Sequence, residues 1–461
     1  MITWGTPAAR WLLTATVLGS GLAQLDATVV NVALSRIGTD LDAGFDGLQW
    51  ILNGYTLPLA GLILLGGSLG DRFGRRRVFM IGVAWFAVAS LFCGLAQDIP
   101  QLVLARALQG VGGALLTPGS LALISASFDA EDRGRAIGAW AGLSGVASAI
   151  GPFLGGWLLQ IASWRAVFLI NLPVAALVLW VSARHVPESS DPLAAPRLDW
   201  AGTALAVLGL TATTYALIQA GEGLSPAVFG LGLAGIAALV GFVLLERVSD
   251  HPLVPLEMFR SMPFTVANLF TFVVYGSMGA VFFLLVLDLQ EVAGFGPVAA
   301  GAALLPITVL MLLFSARVGS LADRIGPRWP MAVGALLAAG GLLLMLRIGP
   351  DASYLADVLP GAVVFGLGLT ALVAPLTATV LSAAPTRHAG VASGVNNAVA
   401  RAGGLFAVAA LPALAGLSSA DYRSAPALDA GFRTVLLICA ALMVLGALAA
   451  AVGLRGQRTR R

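Results

Sequence analysis

The amino-acid sequence predicts an all-α membrane protein of about fourteen transmembrane helices, because apolar stretches of about 18 residues or more follow one another along the chain. Apolar residues make up 58% of the 461 residues and charged residues only 11%. Soluble proteins carry roughly a quarter charged residues. A polar loop sequence also occurs twice, at 67–77 and at 319–328. The chain is therefore expected to be a duplicated membrane protein, a pattern typical of two helical halves that rock about a central site.

Each apolar stretch is expected to form a helix, because a helix satisfies its own backbone hydrogen bonds in lipid. In chain order, the predicted helices begin near Trp11, Leu48, Val78, Leu102, Ala136, Ala166, Trp200, Pro226, Phe264, Val298, Trp329, Tyr354, Gly390 and Phe432.

The basic residues predict the orientation. All 26 are arginines, and most fall in alternate loops, including residues 72–77 and 455–461. This is the positive-inside pattern if both termini are cytoplasmic, and it requires an even number of helices. The arginines lack interleaved aromatic residues, so no nucleic-acid partner is expected. The arginine-only, alanine-rich and glycine-rich composition indicates a GC-rich bacterial genome. We expect the protein in the cytoplasmic membrane.

The spacing of the repeat predicts the domains. Asp71 and Asp323 occupy corresponding positions, 323 − 71 = 252 residues apart. Six helices at about 20 residues each, with short loops, need only roughly 180 to 200 residues. The excess fits two additional helices. We therefore expect a six-helix bundle at residues 1–185, a two-helix linker insertion at 186–260, and a six-helix bundle with a basic tail at 261–461.

Several motifs resemble a known family. Residues 67–77, GSLGDRFGRRR, resemble the loop signature of the major facilitator superfamily. Residues 25–34, LDATVVNVAL, are similar to the helix 1 signature of its fourteen-helix drug:proton antiporter branch. Further matches in the expected order are the helix 4 motif at 106–110, the helix 5 antiporter motif at 145–156, and second-half motifs at 290–306 and 393–404. The resemblance covers nearly the whole chain.

This resemblance implies a major-facilitator-type fold of two six-helix bundles plus two linker helices. It also implies a secondary transporter that exports small amphipathic drugs or antibiotics in exchange for protons by alternating access. A proton-coupled importer or a metabolite exporter is an alternative, although the helix 5 motif disfavours import. A non-transporting receptor or scaffold is another, but it would be expected to lack the helix 1 acid or to carry a sizeable soluble domain.

No enzyme signature competes with transport. The chain has no lysine and no phosphate-binding Gly-x-x-x-x-Gly-Lys-Ser/Thr loop. Its histidines, His185, His251 and His388, do not have the spacing of zinc ligands. We therefore expect no catalytic residue, metal or cofactor. The expected partners are a small-molecule substrate, protons and the lipid bilayer, with no obligate protein partner.

Two charged residues lie inside apolar stretches of the first half. Asp26 falls midway along helix 1, where an ionised carboxylate costs roughly 2.5 to 3.5 kcal/mol or more, so it needs a cavity or a partner. Arg106 stays charged and needs an acidic or carbonyl partner. The resemblance implies that both residues take part in proton coupling and that Arg106 interacts with Asp26, directly or through water. A purely structural link between helices is the alternative.

Small residues recur along helix 5. Five of them follow one another at intervals of three and four, which places them on one helix face. They are Gly142, Gly145, Ala149, Pro152 and Gly156. Such a face is often only a packing surface. The resemblance implies the interface of antiporters between the two halves, and the motif comprises Gly142, Gly145, Gly151, Pro152, Gly155 and Gly156.

The resemblance implies that the repeated loop is a latch on the cytoplasmic side. Gly70 and Gly74 are expected to allow a tight turn, and Asp71 to accept hydrogen bonds at a helix N-terminus. A simple topological anchor is the alternative. In the second copy, Ala322 replaces Gly70 and Pro327 replaces Arg75. The predicted latch comprises Gly67, Gly70, Asp71, Arg72, Gly74, Arg75, Arg76, Asp323 and Arg324.

Further polar residues within the helices are candidates for a substrate cavity, although buried amides often only bridge helices. They are Gln24, Asn31, Gln49, Asn53, Gln109, Asn397 and Arg401. Asp288, Glu291 and Glu222 fall near predicted outer helix ends, where solvated loop positions are expected.

Overall fold

The computed structural model describes residues 2–192, 197–384, 389–418 and 424–455, and within these residues fourteen helices are long and apolar enough to cross a membrane. Arg387, His388, Arg423 and the arginines of the predicted basic tail beyond residue 455 lie outside the described residues. The helices are α1 (Pro7–Asp40), α2 (Phe45–Phe73), α3 (Arg75–Leu95), α4 (Ile99–Ser127), α5 (Ala130–Ile161), α6 (Trp164–His185), α7 (Trp200–Gln219), α8 (Pro226–Val248), α9 (Met262–Glu291), α10 (Pro297–Ile325), α11 (Arg328–Met345), α12 (Tyr354–Ala383), α13 (Ala389–Leu414) and α14 (Ala425–Gly453).

Three of these helices consist of two consecutive segments. α6 comprises Trp164–Leu169 and Asn171–His185, and α10 comprises Pro297–Ala302 and Leu305–Ile325. α12 begins with a π-helical turn, Tyr354–Val358. A short 3₁₀ helix, Leu256–Arg260, precedes α9.

Local sequence explains where several helices begin and end. The hydroxyl of Thr6 accepts a hydrogen bond from the Ala9 amide at the start of α1, and Asp98 does the same for Gln101 at the start of α4. α2 ends before Gly74, whose φ is 105°, and α10 ends before Gly326, whose φ is 85°. These two glycines occupy equivalent positions of the repeat, and only glycine adopts this conformation readily.

The helices divide between two compact units. The first contains the described residues up to Ala43, those within Trp50–Thr211, and Gly235–Leu253. Within it α1 packs against α4, α5 and α6, and α3 packs against α4 and α6. Gly82 and Gly112 bring α3 and α4 together, since a Cβ on Gly112 would lie 2.7 Å from the backbone nitrogen of Phe86.

The second unit contains Gly44–Gln49, Ala212–Ala234 and the described residues from Val254 onward. Within it α9 packs against α13 and α14, and α11 packs against α12 and α14. These pairs are the duplicated counterparts of α1 with α5 and α6, and of α3 with α4 and α6. Glycines again mediate the tightest pair, at Gly341 of α11 and Gly368 of α12. The repeat in the sequence is therefore also a repeat in helix packing.

Loop contacts within the first unit separate the helix ends into two groups. The N-terminal segment meets the α4–α5 connection, where the Ile2 amide donates to the Ser127 carbonyl oxygen at 2.8 Å. The opposite ends meet elsewhere, because the Trp164 indole donates to Asp40 at 2.9 Å and Arg165 to the Ala96 carbonyl oxygen at 3.2 Å. This alternation agrees with six successive crossings.

Apolar side chains also cover the outer helix surfaces. On α3, Trp85, Val88 and Phe92 are exposed, and on α8 almost no residue is buried although the helix is strongly apolar. In water such a surface would be unfavourable, whereas lipid chains solvate it well. The chain is a multi-pass membrane protein.

We predict that Gly112→Ala lowers the thermal unfolding midpoint of the detergent-solubilised protein, because the added methyl group must push α4 away from the α3 backbone. Overpacking of this kind typically costs about 1 to 3 kcal/mol. Gly142→Ala on α5 is the matched control, since a Cβ there meets no atom within 4 Å. The control should be neutral or slightly stabilising. Equal midpoints for the two variants would contradict the close approach.

Candidate functional site

Asp26 lies in the interior of the first unit, where its side chain is fully buried. Oδ2 accepts a hydrogen bond from Arg106 Nη1 at 2.5 Å, within an ion pair. Oδ1 accepts from Gln109 Nε2 at 2.7 Å and from Asn171 Nδ2 at 3.1 Å. Both oxygens are therefore satisfied by donors from α4 and α6.

Arg106 is as deeply buried as its partner, with 1% of its surface exposed. Its Nη1 also donates to Gln109 Oε1 at 2.6 Å, and its Nε donates to the Ile51 carbonyl oxygen of α2 at 3.1 Å. The guanidinium carbon lies 4.4 Å from the ring centroid of Tyr55 and 5.8 Å from that of Phe168. Aromatic faces stabilise a cation that has lost its hydration water.

Two residues that the sequence analysis did not single out complete this cluster. Ser90 of α3 accepts hydrogen bonds from Gln109 Nε2 at 2.8 Å and from Asn171 Nδ2 at 3.3 Å. Asn171 opens the second segment of α6, and its Oδ1 is buried without a hydrogen-bond partner. Asn171 was detectable as a lone amide in an apolar span. Ser90 carried no such signal, because a single serine is common in membrane helices.

The predicted proximity of Asp26 and Arg106 is thus a direct contact in the structure. Side chains from α1, α3, α4 and α6, together with a carbonyl of α2, converge on one buried carboxylate. We call Asp26, Ser90, Arg106, Gln109 and Asn171 the carboxylate cluster. Chemically, the cluster can hold an ionised aspartate in an apolar interior, and a proton added to Asp26 would remove its attraction for Arg106.

The helix 5 motif splits into two parts. Gly151 and Gly155 are buried against α1, where a Cβ would collide with Thr28 or Val29. Pro152 and Gly156 are also buried. At Gly142 and Gly145, however, a Cβ would meet no atom within 4 Å. The close approach in this structure therefore involves Gly151 and Gly155, whereas the face predicted from Gly142 and Gly145 is open here.

The loop between α2 and α3 differs from the prediction in two respects. Gly70 is helical, so the turn is made by Gly74 alone. Asp71 does not cap a helix N-terminus, because its side chain binds the Nε and Nη2 of Arg75, both at 2.8 Å. Gly67 and Arg72 also lie in the last turns of α2, with the Arg72 side chain exposed.

Glu188, which the sequence analysis missed, caps α3 instead. Its two oxygens accept hydrogen bonds from the amides of Arg76 at 3.0 Å and Arg77 at 3.2 Å. Arg76 in turn donates to the Val186 carbonyl oxygen at 3.0 Å. A Cβ on Gly74 would lie 2.9 Å from the Glu188 carboxylate, which is a second reason for glycine there. Together these contacts join the α2–α3 loop to the segment that follows α6.

The second copy of the loop retains only part of this arrangement. Arg328, at the position equivalent to Arg76, donates to the Ala451 carbonyl oxygen at 2.7 Å. Asp323 and Arg324 are exposed. Because Pro327 replaces the arginine that binds Asp71 in the first copy, Asp323 has no equivalent partner four residues later.

The predicted cavity residues are divided between the two units, with Gln49, Asn397 and Arg401 in the second and the others in the first. Gln109 belongs to the carboxylate cluster, and Gln49 donates to the Val408 and Ala409 carbonyl oxygens at 2.6 and 3.3 Å. Asn31 and Asn397 donate to the carbonyl oxygens four residues before them. Asn53 is 1% exposed, with its Nδ2 unpartnered. Gln24 and Arg401 are partly buried, and Arg401 lies within electrostatic range of Tyr275.

Asp288 was expected at a solvated loop position, and this expectation was wrong. The residue lies in the last turn of α9 with no exposed surface. α9 extends further than its apolar core suggests, and Asp429 and Arg433 of α14 lie within electrostatic range of Asp288.

The comparisons with known proteins agree with this architecture. The sequence pattern of the Major Facilitator Superfamily matches residues 16–409. The multidrug resistance protein Stp of Mycobacterium tuberculosis (strain CDC 1551 / Oshkosh) is 36% identical over 403 residues, covering 87% of this chain and 74% of that protein. The puromycin resistance protein pur8 of Streptomyces alboniger is 37% identical over 426 residues, covering 90% and 84%.

Solved structures show the same fold at low sequence identity. The POT family transporter PepTSo matches with a TM-score of 0.70 at 15% identity and covers 97% of both chains. The human organic anion transporter MFSD10 (TETRAN) matches with a TM-score of 0.64 at 17% identity, covering 96% of this chain and all of that one. The predicted fold class is confirmed.

We predict that Asp26→Asn is less stable than the double variant Asp26→Asn with Arg106→Gln. The single change leaves a buried guanidinium without its counterion, which typically costs about 3 to 5 kcal/mol. The double change also removes the unpaired charge. The measurement is the thermal unfolding midpoint of each purified variant in one detergent. Arg36→Gln, which breaks an exposed ion pair to Asp40, should shift it little. A double variant no more stable than Asp26→Asn would contradict the role of the charge.

We also predict that Glu188→Gln speeds hydrogen exchange at the amides of Arg76 and Arg77. A neutral side chain is a weaker acceptor at a helix N-terminus than a carboxylate, by about 1 kcal/mol or less. Glu131→Gln is the control, because Glu131 is an exposed glutamate in the first turn of α5. Exchange at Arg76 and Arg77 should be unchanged in that control. Unaltered exchange in Glu188→Gln would show that the cap contributes little.

Proposed function

The chain belongs to the Major Facilitator Superfamily, and on that premise we propose that it exports small amphipathic drugs or antibiotics in exchange for protons. Members of the family are transporters rather than enzymes, in agreement with the absence of an enzyme signature in the sequence. Drug or antibiotic resistance is the named property of relatives that are 36 to 37% identical to this chain over the aligned residues. Export of such compounds is therefore the substrate class best supported.

The observation that carries the proton exchange is the buried ion pair of Asp26 and Arg106. An ionisable carboxylate inside a membrane helix is expensive and usually functional. Three side chains donate to this carboxylate from two other helices. Its charge therefore affects the packing of the whole first unit, which is what a coupling group requires.

In the proposed cycle, one carboxylate oxygen of Asp26 accepts a proton and the ion pair with Arg106 is lost. Arg106 remains bound to Gln109 and to the Ile51 carbonyl oxygen, so its charge stays partly compensated. The link between α1 and α4 weakens, and the bundle then changes the side from which the substrate site is open. Deprotonation on the other side restores the ion pair. Alternating access of this kind couples one flux to the other.

The other predicted groups have supporting roles in this proposal. The α2–α3 loop acts as a latch on the cytoplasmic side, held by the contacts of Asp71 and Arg76. The open face at Gly142 and Gly145 allows close approach of a neighbouring helix in another state of the cycle. The protein lies in a bacterial cytoplasmic membrane with both termini in the cytoplasm.

The first test is substrate-driven proton movement in proteoliposomes with an imposed pH gradient. The substrates are a lipophilic cation such as ethidium, a neutral antibiotic and an organic anion. We predict that at least one compound drives proton flux in the wild type and that Asp26→Asn abolishes it, because asparagine cannot carry the proton. Arg106→Lys keeps the positive charge but loses the planar guanidinium group, and it should reduce the proton flux at least tenfold.

Asp98→Asn is the matched control for this test. Asp98 caps α4 at its exposed end, and asparagine caps a helix equally well, so transport should be unchanged. Full proton-coupled transport by Asp26→Asn would overturn the role of Asp26. Drug movement without any proton flux in the wild type would instead overturn proton exchange and leave export standing.

A further inference from the structure

The second unit contains a buried carboxyl group that the proposed cycle does not use. Asp288 has no exposed surface, and neither Oδ1 nor Oδ2 has a hydrogen-bond partner. This contrasts with Asp26, which is equally buried but has three donors. Two buried aspartates in one membrane protein are therefore held in opposite electrostatic environments.

The charged groups near Asp288 do not compensate it. Asp429 and Arg433 of α14 lie within electrostatic range, but Arg433 is already engaged. Its Nε donates to both oxygens of Asp429, at 3.0 and 2.9 Å. Its Nη1 and Nη2 donate to the carbonyl oxygens of Leu346 and Ile348, at 2.6 and 2.7 Å.

Among the described residues, the other helices packed against α9 supply no hydrogen-bond donor to the Asp288 carboxyl group. The charged residue of α12 is Asp357, which pairs with Arg347 at 3.7 Å. α13 carries the charged residue Arg401, and α9 itself carries Glu291. None of these forms a hydrogen bond with either Asp288 oxygen.

An ionised carboxylate in this environment would have lost its hydration and gained no donor, which is among the least favourable states for a buried group. A protonated carboxyl group avoids most of that penalty. We propose that Asp288 is a second proton-binding site, occupied by a proton in this conformation and emptied in another. On binding, a hydronium ion transfers its proton to one Asp288 oxygen, so that one O–H bond of hydronium breaks, a carboxyl O–H bond forms and water is left. On release, that proton returns to water.

Arg433 offers a route for the release. It lies near Asp288 and is held by Asp429, whose side chain remains partly exposed. If α14 shifts relative to α9, water or Arg433 reaches the Asp288 carboxyl group and stabilises its ionised form. Proton release at Asp288 is then linked to movement at the α9–α14 contact. The role of this proton in transport rests on the proposed proton exchange, whereas its presence can be measured without transport.

The test is infrared difference spectroscopy of the purified protein in lipid, with no drug, during a pH titration. Wild type should show the carbonyl stretch of a protonated buried carboxylic acid at neutral pH, and Asp288→Asn should lose that band. Asp351→Asn is the matched control, because Asp351 is an exposed aspartate with φ of 59°, a conformation that asparagine tolerates. The control should keep the band.

Asp288→Glu tests whether the band is lost through misfolding rather than through loss of the carboxyl group. It keeps a carboxylic acid at the same place and should retain a shifted band. A band unchanged in Asp288→Asn, or missing from the wild type, would overturn the proposal. Proton counting in proteoliposomes loaded with ethidium is the second readout. If wild type exchanges protons for ethidium, Asp288→Asn should move one proton fewer per ethidium. If wild type moves none, the proposed exchange fails, and the infrared band alone decides the state of Asp288.

Discussion

The first unit depends on the neutralisation of one buried charge by another. Asp26 and Arg106 cannot be separated without exposing a full charge to an apolar interior, so the helices that carry them are held at a fixed distance. Gln109, Asn171 and Ser90 complete the hydrogen bonds and extend this constraint to α3 and α6. A proton is the smallest ligand that relieves the constraint, which makes the same interaction suitable both for cohesion and for switching.

Close packing of backbones supplies the rest of the cohesion. Lipid chains are as apolar as the helix surfaces, so helices gain little from burying apolar side chains against each other. The tightest contacts therefore occur where side chains are missing, at Gly82 and Gly112 in the first unit and at Gly341 and Gly368 in the second. Both duplicated helix pairs thus pack closely through glycines. This explains why corresponding helices of the two halves pack alike although few of their residues are identical.

Much of the fold was predictable, because length and hydropathy determine transmembrane helices with little help from tertiary structure. Asp26 and Arg106 were predictable for a related reason, since charges are conspicuous in apolar spans. Ser90 and Glu188 were not, because a serine in a helix and a glutamate in a loop are ordinary until the chain brings them to a buried carboxylate or a helix end. The burial of Asp288 was not predictable, since its position near a helix end suggested contact with water while packing in three dimensions excluded water.

The cap that Glu188 provides has a consequence for biosynthesis. The amides at the start of α3 bind a carboxylate that lies more than a hundred residues later in the chain, beyond α6. As the polypeptide leaves the ribosome, α2 and α3 enter the membrane with that end uncapped, and the turn at Gly74 has no acidic partner. The cap of α3 forms only when the segment after α6 has been synthesised and has returned to this loop. Order of insertion and order of stabilisation are therefore different in this protein.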